Sequence, residues 1–362
     1  MFQIQVDRIK GNRVFHKNQS YTYFGGTAYL GIPHNHTFQR YLAEGLHRYG
    51  SNYGSSRGGN ILPSVYPEAE KILANTFQMD GAISFSSGYL AAQTLVQYLA
   101  SKTQSFIQLN QGHPSLFHSP IQNSSSLYYP ENFEEETVLD KIHSKGDQEW
   151  VLTSTSLNPL TGKVYSFDWL KNIERKIRIL LDDSHGLGVL GKDGRGILSR
   201  IPENEKLEVY IVSSLGKALG IPGGLILGPQ TAIQQIQEMP VFLSSSPISP
   251  AYLYAFIRFQ NEYSKQRDRL EKIRNLFQKR SRSWLNPVPD HPVISLSGPE
   301  FNAPEKKSKE PIFDFLLKRG ILASSFSYPR PEDRPLTRLV LNASHSEKDI
   351  KYLAQSLEEW IF

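Results

Sequence analysis

The chain has 362 residues, 39% hydrophobic and 21% charged, with 40 basic and 35 acidic side chains giving a net charge of +5. That size supports a substantial buried core in two domains, and the scattered charges form no basic stripe interleaved with aromatics, so nucleic acid is not an expected partner. Cysteine is absent, which excludes disulfides, thiolate metal sites and cysteine nucleophiles, and no stretch approaches the roughly 18 apolar residues of a membrane span. The opening Met1–Asp7 has no basic region followed by an apolar one, so a cytoplasmic protein is expected.

In chain order, glycine and aromatic residues crowd positions 21–60, notably Phe24-Gly25-Gly26 and the stretch Tyr49 to Gly59, which reads as substrate-loop material. Six short apolar runs follow: Ala82–Phe85, Phe106–Leu109, Trp150–Thr153, Arg178–Leu181, Val209–Val212 and Leu225–Leu227. Such runs predict buried strands of a largely parallel sheet. Between the first two, Leu90, Thr94, Val96, Tyr98 and Leu99 recur at helical spacing over Tyr89–Ser101. The pattern predicts an α/β architecture, in which ligands sit beyond the carboxyl ends of the strands. Ser87-Gly88, His113, Asn158, Asp182 and Lys217 all fall there.

After Pro250 the character changes, with a charged helical stretch over Tyr252–Arg282 and a Pro-rich passage over residues 287–292. A smaller α+β domain over 250–362 is expected, completed by an N-terminal segment over 1–45, with the large domain over 46–249. The mixed-sign run Glu305 to Glu310 reads as a solvated loop or helix start.

Several segments could carry chemistry. In Ser213-Ser214-Leu215-Gly216-Lys217-Ala218-Leu219-Gly220 a lone lysine follows a strand among small residues, where desolvation favours the neutral amine of a Schiff-base nucleophile. It is not a phosphate-binding P-loop, because Ile211 and Ala218 stand where glycine and Ser or Thr are needed. A surface lysine stays open from this segment alone. Upstream, Asp182 ends an apolar strand and His185 follows three residues on; a buried carboxylate needs a cationic partner, which a protonated pyridine nitrogen would be. A metal pair, or a capping Asp with a packed His, are the alternatives. Phe85-Ser86-Ser87-Gly88-Tyr89 offers backbone donors where a strand becomes a helix, a phosphate site or an ordinary turn. His113 could stack on a cofactor face or be structural. Arg338 could grip a carboxylate with paired hydrogen bonds or sit in a surface ion pair. Neither a dinucleotide Gly-x-Gly-x-x-Gly at proper intervals nor a Gly-x-Ser-x-Gly elbow is present.

In this order the segments resemble the α-oxoamine synthase family of pyridoxal-phosphate enzymes, from about residue 24 to the C-terminus. The strongest likeness lies in Leu181-Asp182-Asp183-Ser184-His185-Gly186-Leu187-Gly188 with Gly194-Arg195-Gly196, and in Ser214-Leu215-Gly216-Lys217-Ala218-Leu219-Gly220 with Gly223-Gly224. Tyr29-Leu30-Gly31, Ser86-Ser87-Gly88-Tyr89, His113-Pro114-Ser115, Phe242–Pro247 and Arg338 followed by Ala343-Ser344-His345 agree. The resemblance implies an aspartate-aminotransferase-like fold of type I, with a mostly parallel central sheet in the large domain. It implies pyridoxal 5'-phosphate as cofactor, Lys217 as its Schiff-base lysine and Asp182 on the pyridine nitrogen. His185 and Asn158 would touch the ring oxygen and His113 would stack on the ring. Ser87, Gly88, Tyr89 and Ser214 would hold the phosphate, and Arg338 the amino-acid carboxylate. Ser245, within Ser244–Ser246, would reach the neighbouring subunit's phosphate in a homodimer with shared sites.

Two departures stand out. Asn158-Pro159-Leu160-Thr161-Gly162 replaces the family's Ser-Met-Asp-Gly stretch and is similar to the Asn-Pro-Thr-Gly turn of class I aminotransferases, and Ser154 replaces a Glu. The leading expectation is condensation of an amino acid with an acyl-CoA; an aminotransferase is the runner-up. A non-catalytic binding protein would be expected to have lost Lys217 or Asp182.

Overall fold

The computed structural model describes residues 4–103, 105–110, 112–116, 126–144, 146, 148–191, 193–285, 289–296, 308, 310–327, 333 and 335–362. Pro287, Val288 and most of the 305–310 charge run lie outside them. In chain order the described strands are β1 (Arg8–Lys10), β2 (Arg13–His16), β3 (Gln19–Phe24), β4 (Gly81–Phe85), β5 (Phe106–Leu109), β6 (Leu127–Tyr129) and β7 (Val151–Thr155). They continue with β8 (Ile177–Asp182), β9 (Leu207–Ser214), β10 (Gly224–Gly228), β11 (Val293–Ser295), β12 (Ile321–Phe326) and β13 (Leu336–Val340). The chain divides into two units, one of Met1–His36, Asn158–Val164 and Asn261–Phe362, the other of Thr37–Leu157 and Tyr165–Gln260.

The larger unit holds a seven-stranded sheet in the order β4-β10-β9-β8-β7-β5-β6. All six apolar runs lie in it, and β4, β5, β7 and β10 are buried at every residue. Continuous aliphatic runs, rather than alternation, are what a sheet covered on both faces demands. From β6 to β9 neighbouring strands are parallel, whereas β10 runs antiparallel to both β9 and β4. The Leu225–Leu227 run therefore departs from the parallel majority. Only residues 215–223 separate β9 from β10, too few for the crossover of about a dozen residues that a parallel return requires.

The expected helix after β4 runs from Gly88 to Ala100, and Ser87 caps it by accepting the Leu90 N–H at 3.1 Å. The charged stretch after Pro250 is two helices, Pro250–Arg258 and Gln260–Ser281. Phe259 interrupts them: its ring is fully buried edge-on against Phe38, with centroids 5.4 Å apart, and its backbone leaves helical geometry to place it there. Packing of one aromatic outweighs the helical tendency of the surrounding sequence.

Residues 50–59 are loop, as expected, yet one of them belongs to the core. Arg57 lies in the core of the larger unit with its side chain 6% exposed, paired with Glu70 at 7% on the helix Val65–Phe77. Arg57 Nη2 donates to Glu70 Oε2 at 3.0 Å, and Glu70 Oε1 also accepts the Ser84 N–H at 2.7 Å and its hydroxyl at 2.8 Å.

The smaller unit holds a six-stranded sheet, β1-β2-β3-β12-β13-β11, antiparallel except where β3 meets β12. Beside it His345 is 1% exposed and stacks on Phe24 with centroids 4.0 Å apart. Its Nδ1 accepts the Asn342 N–H at 3.0 Å and its Nε2 meets the Tyr23 carbonyl at 3.1 Å, an arrangement that suits the neutral ring. Burial pushes this imidazole down to about 4. The unfolded chain, with an ordinary imidazole near 6.5, therefore takes up a proton that the folded one refuses, so this stability is present above about pH 6.5 and is lost as pH falls towards 4. The loss amounts to up to about 3 kcal/mol. Urea midpoints for the parent and a His345→Gln variant should converge on going from pH 7 to pH 4; parallel curves would refute the assignment. Among the described residues, no helix is long and apolar enough to cross a membrane.

Candidate active site

The site in the larger unit is assembled at strand ends. β8 terminates in Asp182, β9 in Ser214, and β4 leads through Ser87 into the helix Gly88–Ala100. Gly88 explains the close approach of two of these ends: a Cβ there would lie 2.9 Å from the Ser214 Cβ and 3.0 Å from its Cα. The Ser87 carbonyl likewise abuts Gly224 at the start of β10, where no side chain could fit. With the Leu90 N–H taken by the Ser87 hydroxyl and the Ala91 N–H by its carbonyl, the N–H groups of Gly88 and Tyr89 point out of the helix end without an intrahelical acceptor. Donors at the positive end of a helix suit an anion, and Ser87 and Tyr89 are exposed to receive one.

Lys217 lies in the connection between β9 and β10. Its side chain is half-buried, its amine makes no hydrogen bond or ion pair among the described residues, and the charge it senses is that of Asp182. Burial pushes the amine below its ordinary range and Asp182 pulls it partly back up. A surface lysine paired with solvent is therefore not what the structure contains. Asp182 is 8% exposed; one carboxylate oxygen accepts the Ser184 N–H at 2.9 Å, which leaves the second for a cationic partner. His185 is half-buried three residues on. Among the described residues no three His, Asp or Glu side chains gather as a metal site would need.

His113, after β5, senses both Asp182 and Lys217. Burial pushes its imidazole down, Asp182 raises it and Lys217 lowers it further. Its Nδ1 lies 2.7 Å from the Ser115 hydroxyl and 3.2 Å from the Ser115 N–H, which leaves the proton of the neutral ring on Nε2. Ser87, Gly88, His113, Asp182, Ser214 and Lys217 are thus brought together in one unit. Ser245 lies elsewhere in that unit, half-buried after the helix Pro240–Ser244, its hydroxyl 3.3 Å from the Phe242 carbonyl.

Asn158 and Arg338 belong to the smaller unit. Asn158 closes its own turn: its side-chain oxygen accepts the Leu160 N–H at 2.9 Å and its carbonyl the Gly162 N–H at 2.9 Å. Arg338, on β13 between Ser324 of β12 and Ser295 of β11, donates to the Pro159 carbonyl at 2.7 Å. Its guanidinium lies 5.3 Å from the Phe326 ring centroid, and its Nε is buried without an acceptor among the described residues. Tyr23 and Tyr29 are close enough for their titration to feel it. This is no surface ion pair.

Sequence reasoning passed over Ser184. Its N–H fixes Asp182 and its hydroxyl accepts the Ser214 N–H at 2.9 Å, so it ties the ends of β8 and β9 together. A short polar residue two positions after an aspartate is the available signal, since such a pair closes a local turn.

The donor set fits pyridoxal phosphate: a half-buried lysine amine and a buried carboxylate oxygen, both without a hydrogen-bond partner among the described residues, and helix-end donors beside a serine. Residues 34–357 match the family described as aminotransferase class I and II. Among curated relatives, the chain is 27% identical to an 8-amino-7-oxononanoate synthase of Photobacterium profundum, over 96% of this chain and 90% of that one. It is 24% identical to the Petrotoga mobilis enzyme of the same name, covering 91% and 86%. Among solved structures, the serine palmitoyltransferase of Sphingomonas wittichii superposes with a TM-score of 0.84 at 17% identity, covering 98% and 91%. The 8-amino-7-oxononanoate synthase of Francisella tularensis gives 0.70 at 23%, covering 93% and 96%. The expected type I fold is borne out, and so is the α-oxoamine synthase likeness read from the Asp182 and Lys217 motifs: the chain belongs to the class I and II aminotransferase family.

Proposed function

We propose that the chain is a pyridoxal-phosphate-dependent acyltransferase of the α-oxoamine synthase type, which condenses an amino acid with an acyl-CoA thioester. The observation that carries this reading is the convergence of Lys217, between β9 and β10, with the buried Asp182 at the end of β8, whose charge its amine senses. When bound, pyridoxal phosphate supplies an electron sink for negative charge at the α-carbon of an amino acid. Asp182 keeps a proton on the pyridine nitrogen through its free carboxylate oxygen. Lys217, whose amine burial pushes below its ordinary range, would attach the cofactor and would take and return a proton at the substrate carbon. Gly88 and Tyr89 N–H groups with the Ser87 and Ser214 hydroxyls would hold the phosphate, and His113 would cover one ring face. From the family resemblance, Asn158 and His185 contact the ring oxygen and Arg338 binds the amino-acid carboxylate. The same resemblance supports a homodimer in which Ser245 serves the partner's site.

Relatives named 8-amino-7-oxononanoate synthase support acyl-CoA as the second substrate over a transamination. Mixing the cofactor-loaded protein with a panel of amino acids, with and without acyl-CoA thioesters, should release free CoA thiol only when both are present. Conversion of the cofactor to its amine form by an amino acid alone, with no thiol release, would replace this reading with an aminotransferase.

A further inference from the structure

Between Asp182 and His185, each with a role in the reading above, stands a carboxyl group that this chemistry does not use. Asp183 is fully buried. Its N–H donates to the Val212 carbonyl at 2.9 Å, and its carbonyl accepts the N–H groups of Gly186 at 3.2 Å and Leu187 at 2.9 Å. Its side chain does something less ordinary: Oδ2 accepts the N–H of Ile197, fourteen residues on, at 2.8 Å. Gly186 and Gly196 close over the carboxylate from two sides, so tightly that a Cβ at either would fall inside its oxygens. Gly196 also has φ +67°, which favours glycine on conformational grounds. The segment between them is folded on itself, with Gly188 N–H to the Gly194 carbonyl at 2.8 Å and Gly196 N–H to the Leu190 carbonyl at 3.0 Å. Oδ1 and the Ser156 hydroxyl are neighbours short of a well-formed hydrogen bond, and the Gly186 N–H also approaches the carboxyl group.

We propose that Asp183 is a positioning residue for the cofactor site: its carboxyl group staples residues 184–197 to the end of β8 and thereby fixes the Asp182 carboxylate and the His185 ring. This rests on the pyridoxal-phosphate reading above. The link is short. Ser184, the next residue, carries the hydrogen bond to Asp182 and the one from Ser214. Slack at Asp183 is therefore slack in both partners of the ring. Burial also holds the Asp183 carboxyl up to about 7, which eases the repulsion between two adjacent acidic side chains. A glutamate would not substitute, since the glycines leave no room for another methylene.

Two measurements test this. Titrating cofactor-free protein with pyridoxal phosphate, followed by visible absorption, should show binding weakened at least about tenfold in Asp183→Ala, the scale of one lost hydrogen bond to an acidic group. The pH midpoint of the absorption band should move as well, because the Lys217 nitrogen senses the charge of Asp182. Asp183→Asn, which retains an acceptor for the Ile197 N–H, should recover most of the affinity. An Asp183→Ala protein with parental affinity and midpoint overturns the proposal. The second measurement needs only the parent: hydrogen exchange at the Ile197 amide should slow when pyridoxal phosphate binds, because the staple couples the two. An Ile197 amide indifferent to the cofactor overturns the proposal even if Asp183→Ala does not fold. A parent that never takes up the cofactor overturns the reading of the site and this role with it; a parent that does, with unchanged variants, overturns this role alone.

Discussion

Replacing Lys217 with alanine is expected to lower turnover by roughly 10⁴- to 10⁶-fold, the range seen when a covalent nucleophile or its partner is removed. Two separate losses combine. The amine that attaches the cofactor is gone, and so is the base that moves the substrate proton. The fold should survive, because the amine has no hydrogen bond or ion pair among the described residues to lose. Steady-state assays of thiol release, paired with thermal unfolding of the cofactor-free protein, separate the two. The visible absorption that marks a lysine-linked cofactor should vanish in the variant. Lys217→Arg is an informative companion, since it keeps a cation beside Asp182 yet offers no group that loses its proton near neutral pH. If Lys217→Ala kept more than about one hundredth of parental activity, a range that general acid–base effects alone can account for, another residue would have to be the nucleophile.

The second large effect is on stability. Truncating Glu70 to alanine should cost about 3–5 kcal/mol, the penalty for leaving one member of a buried ion pair without its partner. The Arg57 charge would stay enclosed between the Tyr66 and Phe242 rings, which lie 5.0 Å and 4.8 Å from it, and the Ser84 N–H and hydroxyl would lose their acceptor. Removing both charges is a different experiment. The double variant Arg57→Met, Glu70→Leu should recover most of the loss, because apolar groups of similar volume avoid the desolvation of two ions. Denaturant unfolding of the two variants against the parent tests this. A Glu70→Ala cost below about 1 kcal/mol would place the pair in the class of solvent-screened surface bridges and contradict its burial.

What could be read from the sequence follows from how local each signal is. Asp182 and Lys217 were legible because strand, small residues and reactive group lie within a few positions of one another, and the order of these segments carried the family likeness. Ser87-Gly88 was legible as a turn with backbone donors, although its contact with Ser214 comes from residues over a hundred positions apart. The role of Asp183 was hidden for the same reason: its acceptor function is defined by Ile197, and adjacent aspartates look alike in a motif. The direction of β10 could have been deduced from the short 215–223 connection, since periodicity does not distinguish parallel from antiparallel runs. The break at Phe259 could not, because it depends on Phe38 standing opposite. Arg57 was concealed by the glycines and serines around it, which argue for a loop while its partner Glu70 sits on a helix.

The pairing of β3 with β12 has a consequence for how the chain comes into being. Tyr23 lies opposite Leu322, so an early strand must wait for a partner about 300 residues later in the polypeptide. At ordinary ribosomal speeds of roughly 5–20 residues per second that delay is tens of seconds. During it, the three N-terminal strands can form only a meander with β3 as an open edge, a surface prone to pairing with other chains. The larger unit, whose strands all lie between residues 81 and 228, meets no such wait. Nascent chains stalled before residue 321 are therefore the ones on which chaperone capture and aggregation should concentrate.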